Sequence, residues 1–201
     1  MIEQLKKEYI EKQEEIKKRL NDFKSLSEDS WIDELLFCLL TPQSQAKKCW
    51  QAIEELKESR VKEKEAVKAC LATKTRFHNN KTKYILEARE NWLKIKEKIK
   101  QTKDIIELRN ILAEEVLGLG MKEASHFLRN IGKSNNQVAI LDRHILRNLQ
   151  ELGIIKEIKS LNKNNYLEIE RKFKDFSSKI NIPLDYLDLL FWSRENGTIF
   201  K

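Results

Sequence analysis

The sequence predicts an all-α protein, and three observations carry that prediction. Only five glycines and two prolines occur in 201 residues. No stretch sustains the period-two alternation of a half-buried strand, whereas apolar residues recur again and again at spacings of three and four. Ile2, Leu5, Tyr9, Ile16 and Leu20 mark a first helix on that spacing. Asp29 or Ser30 is placed to cap a second, apolar helix through Trp31, Leu35, Leu36, Cys38, Leu39 and Leu40. Thr41-Pro42 ends it, because the residue before a proline is pushed out of the helical region. A third helix is expected over about 44–58, a short one over about 62–71, one near 80–98 and another near 104–117. A helix follows over about 121–131, and Gly132-Lys-Ser-Asn-Asn-Gln137 is the clearest loop in the chain. Val138-Ala-Ile-Leu141 then runs apolar into Asp142, the expected N-cap of a helix over 143–151. Tyr166, Ile169, Phe173, Phe176 and Ile180 line one face of an amphipathic helix. Pro183 opens the last, which carries Tyr186, Leu187, Leu189, Leu190, Phe191 and Trp192. No internal repeat or low-complexity linker interrupts the pattern, and a chain of this length suits one or two small helical lobes.

Residues 117–128, Leu-Gly-Leu-Gly-Met-Lys-Glu-Ala-Ser-His-Phe-Leu, are the most informative stretch. Gly118 and Gly120 flank one apolar residue, Leu119, between two apolar helical segments. Glycine tolerates the positive φ of so tight a turn, and its missing Cβ lets another backbone come close. This is a helix-hairpin-helix, spanning about 105–131, which presents backbone N–H groups and a helix N-terminus to a phosphate. Lys122 is the unusual part, since it sits in the first turn of the second helix, beside the nucleic acid.

Charge agrees with such a partner. Lysine and arginine number 39 against 32 acidic residues, a net charge of +7 (39 − 32) and a pI near 9.2. That balance supplies the salt-sensitive, sequence-independent part of nucleic-acid affinity, although solvated helix faces alone also produce it. No apolar run approaches the roughly 20 residues of a membrane span. The opening Met-Ile-Glu-Gln-Leu-Lys-Lys-Glu is charged too early for a signal-peptide core, so the chain is expected to stay in the cytoplasm. Cys38, Cys49 and Cys70 are odd in number, far apart and set among apolar residues. They fit neither a disulfide framework nor a metal cluster, and no four-cysteine run near the C-terminus suits an iron–sulfur cluster.

Gly118-Leu-Gly-Met-Lys122-Glu-Ala-Ser-His-Phe-Leu-Arg-Asn130, a glycine-bearing loop, and Ala139-Ile-Leu-Asp142-Arg-His-Ile-Leu-Arg147 together resemble the helix-hairpin-helix, Gly/Pro-loop-Asp superfamily of DNA glycosylases. More narrowly, the chain is similar to the archaeal-type (type 2) 8-oxoguanine DNA glycosylases. The narrower match adds Leu39-Leu-Thr-Pro-Gln-Ser44, Arg76-Phe-His-Asn-Asn-Lys81 with Tyr84-Ile85, Leu187-Asp-Leu-Leu-Phe-Trp192 and the ending Gly197-Thr-Ile-Phe-Lys201. It covers nearly the whole chain. One departure is visible: the loop before Asp142 holds Gly132 but no proline, with twenty positions from Lys122 to Asp142. The resemblance implies two helical lobes with a cleft between them. One is residues 29–149, bearing the hairpin; the other is 1–28 with 150–201. It implies a bifunctional 8-oxoguanine DNA glycosylase and abasic-site lyase acting as a monomer on double-stranded DNA, with no metal, organic cofactor or membrane.

The chemistry follows from the residue types. Breaking the bond between a base and C1′ of deoxyribose passes through an electron-poor sugar. An amine that captures C1′ forms a Schiff base, which permits strand cleavage by β-elimination. Lys122 is the candidate amine. Lysine attacks only when deprotonated; the positive end of its helix and desolvation by a flipped nucleotide both disfavour ammonium. Its other reading is a lysine that merely touches a phosphate. Asp142, at a helix N-terminus, is held ionised by backbone N–H groups. It can then stabilise the positive sugar and relay the lysine's proton, or serve only as a cap. His144 is a further relay candidate, or structural.

A base inside a duplex must be extruded, its gap filled and its face stacked upon. By resemblance Phe77, between Arg76 and His78, occupies the family's wedge position; otherwise it folds onto the core. Trp192 is placed to stack on the flipped base or to pack in its apolar helix. Lys201, the last residue, matches the family's lesion-reading lysine. 8-oxoguanine carries an N7–H donor where guanine has an acceptor, so an anionic acceptor such as a terminal carboxylate distinguishes them. Gln43 matches the early pocket motif and reads a base edge or the opposite strand; Trp50 belongs to the core. Gly118, Leu119 and Gly120 hold the DNA backbone. Two alternatives stand beside this one: a cluster-less endonuclease III-like enzyme for oxidised pyrimidines, and a non-catalytic DNA-binding module.

Overall fold

A computed structural model describes residues 1–59, 61–157 and 160–201. Among these, eleven α-helices and one short 3-10 turn occur, with no strand. They are α1 (Ile2–Lys24), α2 (Trp31–Leu40), α3 (Ala46–Glu58), α4 (Lys64–Ala72), α5 (His78–Glu90), α6 (Trp92–Gln101), α7 (Ile105–Glu115), α8 (Met121–Asn130), α9 (Arg143–Glu151), α10 (Lys163–Ile180) and α11 (Leu184–Asn196). Among the described residues, no helix is long and apolar enough to cross a membrane.

Two expected boundaries differ. The single helix near 80–98 is two, α5 and α6, broken at Asn91 (φ −91°, ψ 6°). The Asn91 side-chain amide donates to the Glu87 carbonyl at 3.0 Å, beside the bond that carbonyl keeps from Asn91 N–H, so the break falls at an asparagine bonded to its own preceding turn. Helix α2 does stop at Leu40, but Thr41 keeps a helical conformation (φ −67°, ψ −30°) instead of swinging to the extended region. Its hydroxyl donates to the Cys38 carbonyl at 2.9 Å, and the next turn closes by Ser44 N–H to the Thr41 carbonyl. Ser30 precedes α2 without a side-chain capping bond.

The chain forms two compact units, Met1–Leu26 with Leu128–Lys201, and Ser27–Phe127. Residues 128–149 group with the terminal segments, where the resemblance drew the division at 149/150. In the Ser27–Phe127 unit, α2 is apolar nearly all round and buries eight of its ten residues, the pattern of a central helix. Phe37 meets the rings of Trp50 and His126 edge-on, at 5.7 Å each, which places Trp50 against the core as expected. Cys49 and Cys70 are free thiols, and burial pushes both up to about 11.

In the other unit, α1 and α11 pack together. Lys12 donates to the Ser193 hydroxyl at 3.0 Å and Arg194 to Glu8 at 2.6 Å. Phe173 of α10 and Phe191 of α11 stack in the core. Gly132 has φ +70°, and a Cβ there would fall 2.5 Å from the Lys24 Cα. Both facts require glycine.

Candidate functional site

The hairpin is α7, the turn 116–120 and α8. Asp104 caps α7 by accepting from Glu107 N–H at 2.8 Å. Gly118 has φ +84°, and a Cβ on it would meet the Tyr84 ring at 2.4 Å. The turn therefore excludes a side chain twice over, by backbone conformation and by the ring packed beneath it. Gly118 and Gly120 are exposed while Leu119 is buried. The apolar residue between them anchors the turn inward and leaves glycine backbone outward, the arrangement that a phosphate contact needs.

Lys122 follows in the first turn of α8, half-buried, with Nζ 2.8 Å from Glu123 Oε1. The sequence pattern assigns Glu123 no role, because an acidic residue in a helix's first turn is already favourable electrostatically. Here its carboxylate holds the Lys122 ammonium.

Gln43 and Phe77 are exposed and share an unusual backbone. Gln43 has φ 53° and Phe77 φ 57°, in the left-handed region. Three other non-glycine residues there are asparagines, 135, 136 and 181, the type that tolerates it best. For glutamine and phenylalanine such a conformation persists only when the surroundings hold it. Phe77 is 53% exposed, with the Arg76 guanidinium 5.5 Å from its ring centroid. Phe77 therefore stands out from its unit and is not folded onto the core. His78 opens α5 and is half-buried.

Lys81, unassigned on sequence, binds these two loops together. Its buried ammonium donates to the carbonyls of Leu40 (2.7 Å) and Pro42 (2.8 Å) and to the Ser44 hydroxyl (2.8 Å). Burial, with the neighbouring charges of Lys122 and Arg76 acting in the same direction, pushes its pKa down to about 8. A lysine early in a polar helix normally reads as solvated, and only the fold reveals its acceptors.

Asp142 lies in the unit of the chain termini, half-buried at the N-cap of α9. Its Oδ1 accepts from both His144 and Ile145 N–H, each at 2.8 Å. The proline-free loop before it is clamped by side chains from α10 and α11. Asp185 accepts from the Ser134 hydroxyl (2.6 Å) and Asn136 N–H (3.2 Å), and Asn136 in return accepts from Asp185 N–H (3.0 Å). Glu170 accepts from Ala139 N–H at 2.7 Å, and the Tyr166 hydroxyl donates to the Ala139 carbonyl. Burial pushes the Asp185 carboxyl up. Hydrogen bonds thus fix a path that a proline would otherwise stiffen.

His144 Nδ1 lies 3.5 Å from Glu195, which gives its ring a structural neighbour. Trp192 is half-buried, its ring tilted against Phe200 at 6.4 Å. Lys201 is buried on the same unit.

An all-helical, two-unit chain with a glycine hairpin, a lysine just beyond it and an aspartate at a later helix cap has the plan of a helix-hairpin-helix DNA glycosylase. Residues 16–182 match the family described as 8-oxoguanine DNA glycosylase, and the chain belongs to that family. The matched span takes in Gln43, Phe77, Lys122 and Asp142, and stops short of Trp192 and Lys201. An 8-oxoguanine DNA glycosylase/AP lyase of Fusobacterium nucleatum is 44% identical over 98% of this chain and 96% of its own. That of Saccharolobus solfataricus is 39% identical over 91% and 89%. The crystal structure of the Methanocaldococcus jannaschii 8-oxoguanine glycosylase/lyase with a 15mer DNA containing 8-oxoguanine superposes with TM-score 0.90, covering 100% of this chain and 99% of that one at 34% identity.

Proposed function

We propose that this chain is a bifunctional 8-oxoguanine DNA glycosylase and abasic-site lyase, acting as a monomer on chromosomal duplex DNA. The observation that carries the reading is Lys122, half-buried in the first turn after a glycine hairpin that has room for no side chain at Gly118, in a chain of this family. The neutral Lys122 amine attacks C1′ of the damaged nucleotide. The glycosidic bond breaks, and its electron pair leaves with the base, which takes up a proton. Loss of a proton from nitrogen and opening of the sugar ring give the Schiff base, and β-elimination expels the 3′ phosphate. Asp142 stabilises the cationic sugar and receives the lysine's proton. Phe77 fills the gap left by the extruded base, with Arg76, His78 and the Gly118–Gly120 backbone along the strands. Trp192, Lys201 and Gln43 read the base.

Borohydride reduces a Schiff base to a stable amine and so traps the enzyme on its DNA. Lys122→Gln is expected to abolish both trapping and strand cleavage on 8-oxoguanine and abasic duplexes, while retaining lesion binding within about tenfold, since the amine is one of many contacts. A variant that still cleaves near the wild-type rate would show that another amine is the nucleophile. Failure of the wild type to form any adduct would make the chain a DNA-binding module instead.

A further inference from the structure

We infer that Lys81 is a positioning residue for base reading: its buried ammonium fixes the 40–44 turn in the one conformation that presents Gln43. The inference rests on the proposed role of Gln43 in reading the base pair.

An ammonium has three donors and no acceptor, and Lys81 spends all three on one short segment: Leu40 O, Pro42 O and Ser44 Oγ. Two of these acceptors, on Pro42 and Ser44, lie immediately either side of Gln43, whose φ of 53° is unfavourable for glutamine. The Leu40 carbonyl is one of those that the end of α2 leaves without a helical partner, and it also accepts from the Cys49 thiol at 3.2 Å. Ser44 extends the lock, because its hydroxyl accepts from Arg76 N–H at 2.9 Å. Phe77, the other strained residue, gives its carbonyl to the backbone N–H of Lys81 itself at 3.1 Å. One residue therefore ties together the two residues, other than asparagines and glycines, that lie in the left-handed region among the described residues.

The choice of a lysine needs explaining, since Lys81 is 3% exposed and burying an ammonium is costly. A neutral donor would close the end of α2 without that cost. The charge strengthens three hydrogen bonds at once and so holds a backbone that would relax if released. Among the described residues, exposed Gln43 makes no side-chain bond that accounts for its strain, which leaves presentation to a ligand as the reason for it.

The test is a double-mutant cycle on single-turnover excision of 8-oxoguanine, with strand cleavage at a preformed abasic site and thermal unfolding measured alongside. Lys81→Met keeps the length and removes the donors. Gln43→Ala and Lys81→Met are each expected to slow excision by roughly 10- to 100-fold, the range for losing a recognition bond to a base edge. Each loss should exceed the loss of abasic cleavage at least tenfold. The double variant should be no more than about threefold slower than the slower single one, because a residue acting through Gln43 has nothing left to position. Multiplied losses in the double variant, or equal loss of excision and abasic cleavage in Lys81→Met, would overturn the role of Lys81 alone. Wild-type excision by Gln43→Ala would remove Gln43 from base reading and the inference with it. Should Lys81→Met unfold, Ser44→Ala, which deletes one acceptor, carries the same cycle with an expected selective loss of about 3- to 10-fold; an unselective loss or none would overturn the inference equally.

Discussion

Asp142 accepts two backbone N–H groups on a single oxygen, Oδ1, so capping and the proposed catalysis compete for the same carboxylate only in part. Substitution by asparagine separates them. The amide side chain retains an oxygen to cap α9, and asparagine ranks with aspartate at an N-cap, but it carries no charge for the developing cation. Asp142→Asn is expected to slow excision by roughly 10²-fold or more, the loss typical of one electrostatic stabiliser, with a change of about 1 kcal/mol or less in unfolding free energy. Unfolding of that variant at ambient temperature would make Asp142 a structural cap and no more. The placements of Lys122 and Asp142 were legible in the sequence because each belongs to a local pattern: a glycine turn with a lysine after it, an apolar run ending in a capping acid. Phe77 was legible as a loop aromatic with polar neighbours. Glu123 and Lys81 were not, since their roles depend on where a long side chain ends, and the surrounding pattern is that of an ordinary solvated helix.

At the scale of elements, the start of α9 was legible in one residue, its Asp142 cap, whereas the expected Ser30 cap of α2 makes no side-chain bond. Asp104, Asp142 and Asn162 each cap through the side chain, a signal written in one residue. The break between α5 and α6 rests on a single asparagine turning back to its own helix, and asparagine is common inside helices too. The path of the loop before Asp142 was illegible for a further reason: its clamps, Asp185 and Glu170, come from α11 and α10, 49 and 31 positions away from the backbone they bind. The α5 lock on the 40–44 turn is equally non-local, and it makes a pH prediction. Lys81 titrates near 8 in the folded chain against an ordinary 10.5. Below pH 8 it is charged in both states and the cost of burying it is present in full. Between 8 and 10.5 the unfolded chain binds more protons, so stability rises with pH. Cys49 and Cys70, raised from 9 to about 11, act oppositely, and in the unfolded chain each is half ionised by pH 9. Between pH 8 and 9 Lys81 contributes a rise of about 1 kcal/mol, given roughly 1.4 kcal/mol per unit when fully unbalanced, and the urea-unfolding free energy of the wild type should gain that much relative to Lys81→Met, which keeps both thiols. Lys81→Met should lose that rise. Parallel curves for the two proteins would show that the lysine is not the titrating group.

At the scale of the whole molecule, the proposed reading divides chemistry and selectivity among segments far apart in the chain. In it, Lys122 and Asp142 act on any deoxyribose whose base has been extruded, whereas Trp192 and Lys201 are assigned to the damaged base itself. That division was legible only through resemblance: nothing in an apolar helix or a final lysine points by itself to an oxidised purine, and both residues fall outside the matched span. Lys201 is nonetheless buried, and Phe200 beside it lies against Trp192, so the two candidates sit at neighbouring places on one unit. Lys201→Ala tests the assignment where it is most exposed. An abasic site has no base to read, so excision of 8-oxoguanine should fall roughly 10- to 100-fold, as for one or two lost recognition bonds, and the lyase step at least tenfold less than that. A duplex carrying an oxidised pyrimidine, assayed in parallel, sharpens the outcome. Equal loss of both steps would mean that the C-terminal segment supports the unit's packing and not the reading of the lesion. Undiminished 8-oxoguanine excision would place the base pocket on other residues, and faster release of the oxidised pyrimidine than of 8-oxoguanine by the wild type would shift the substrate to that class.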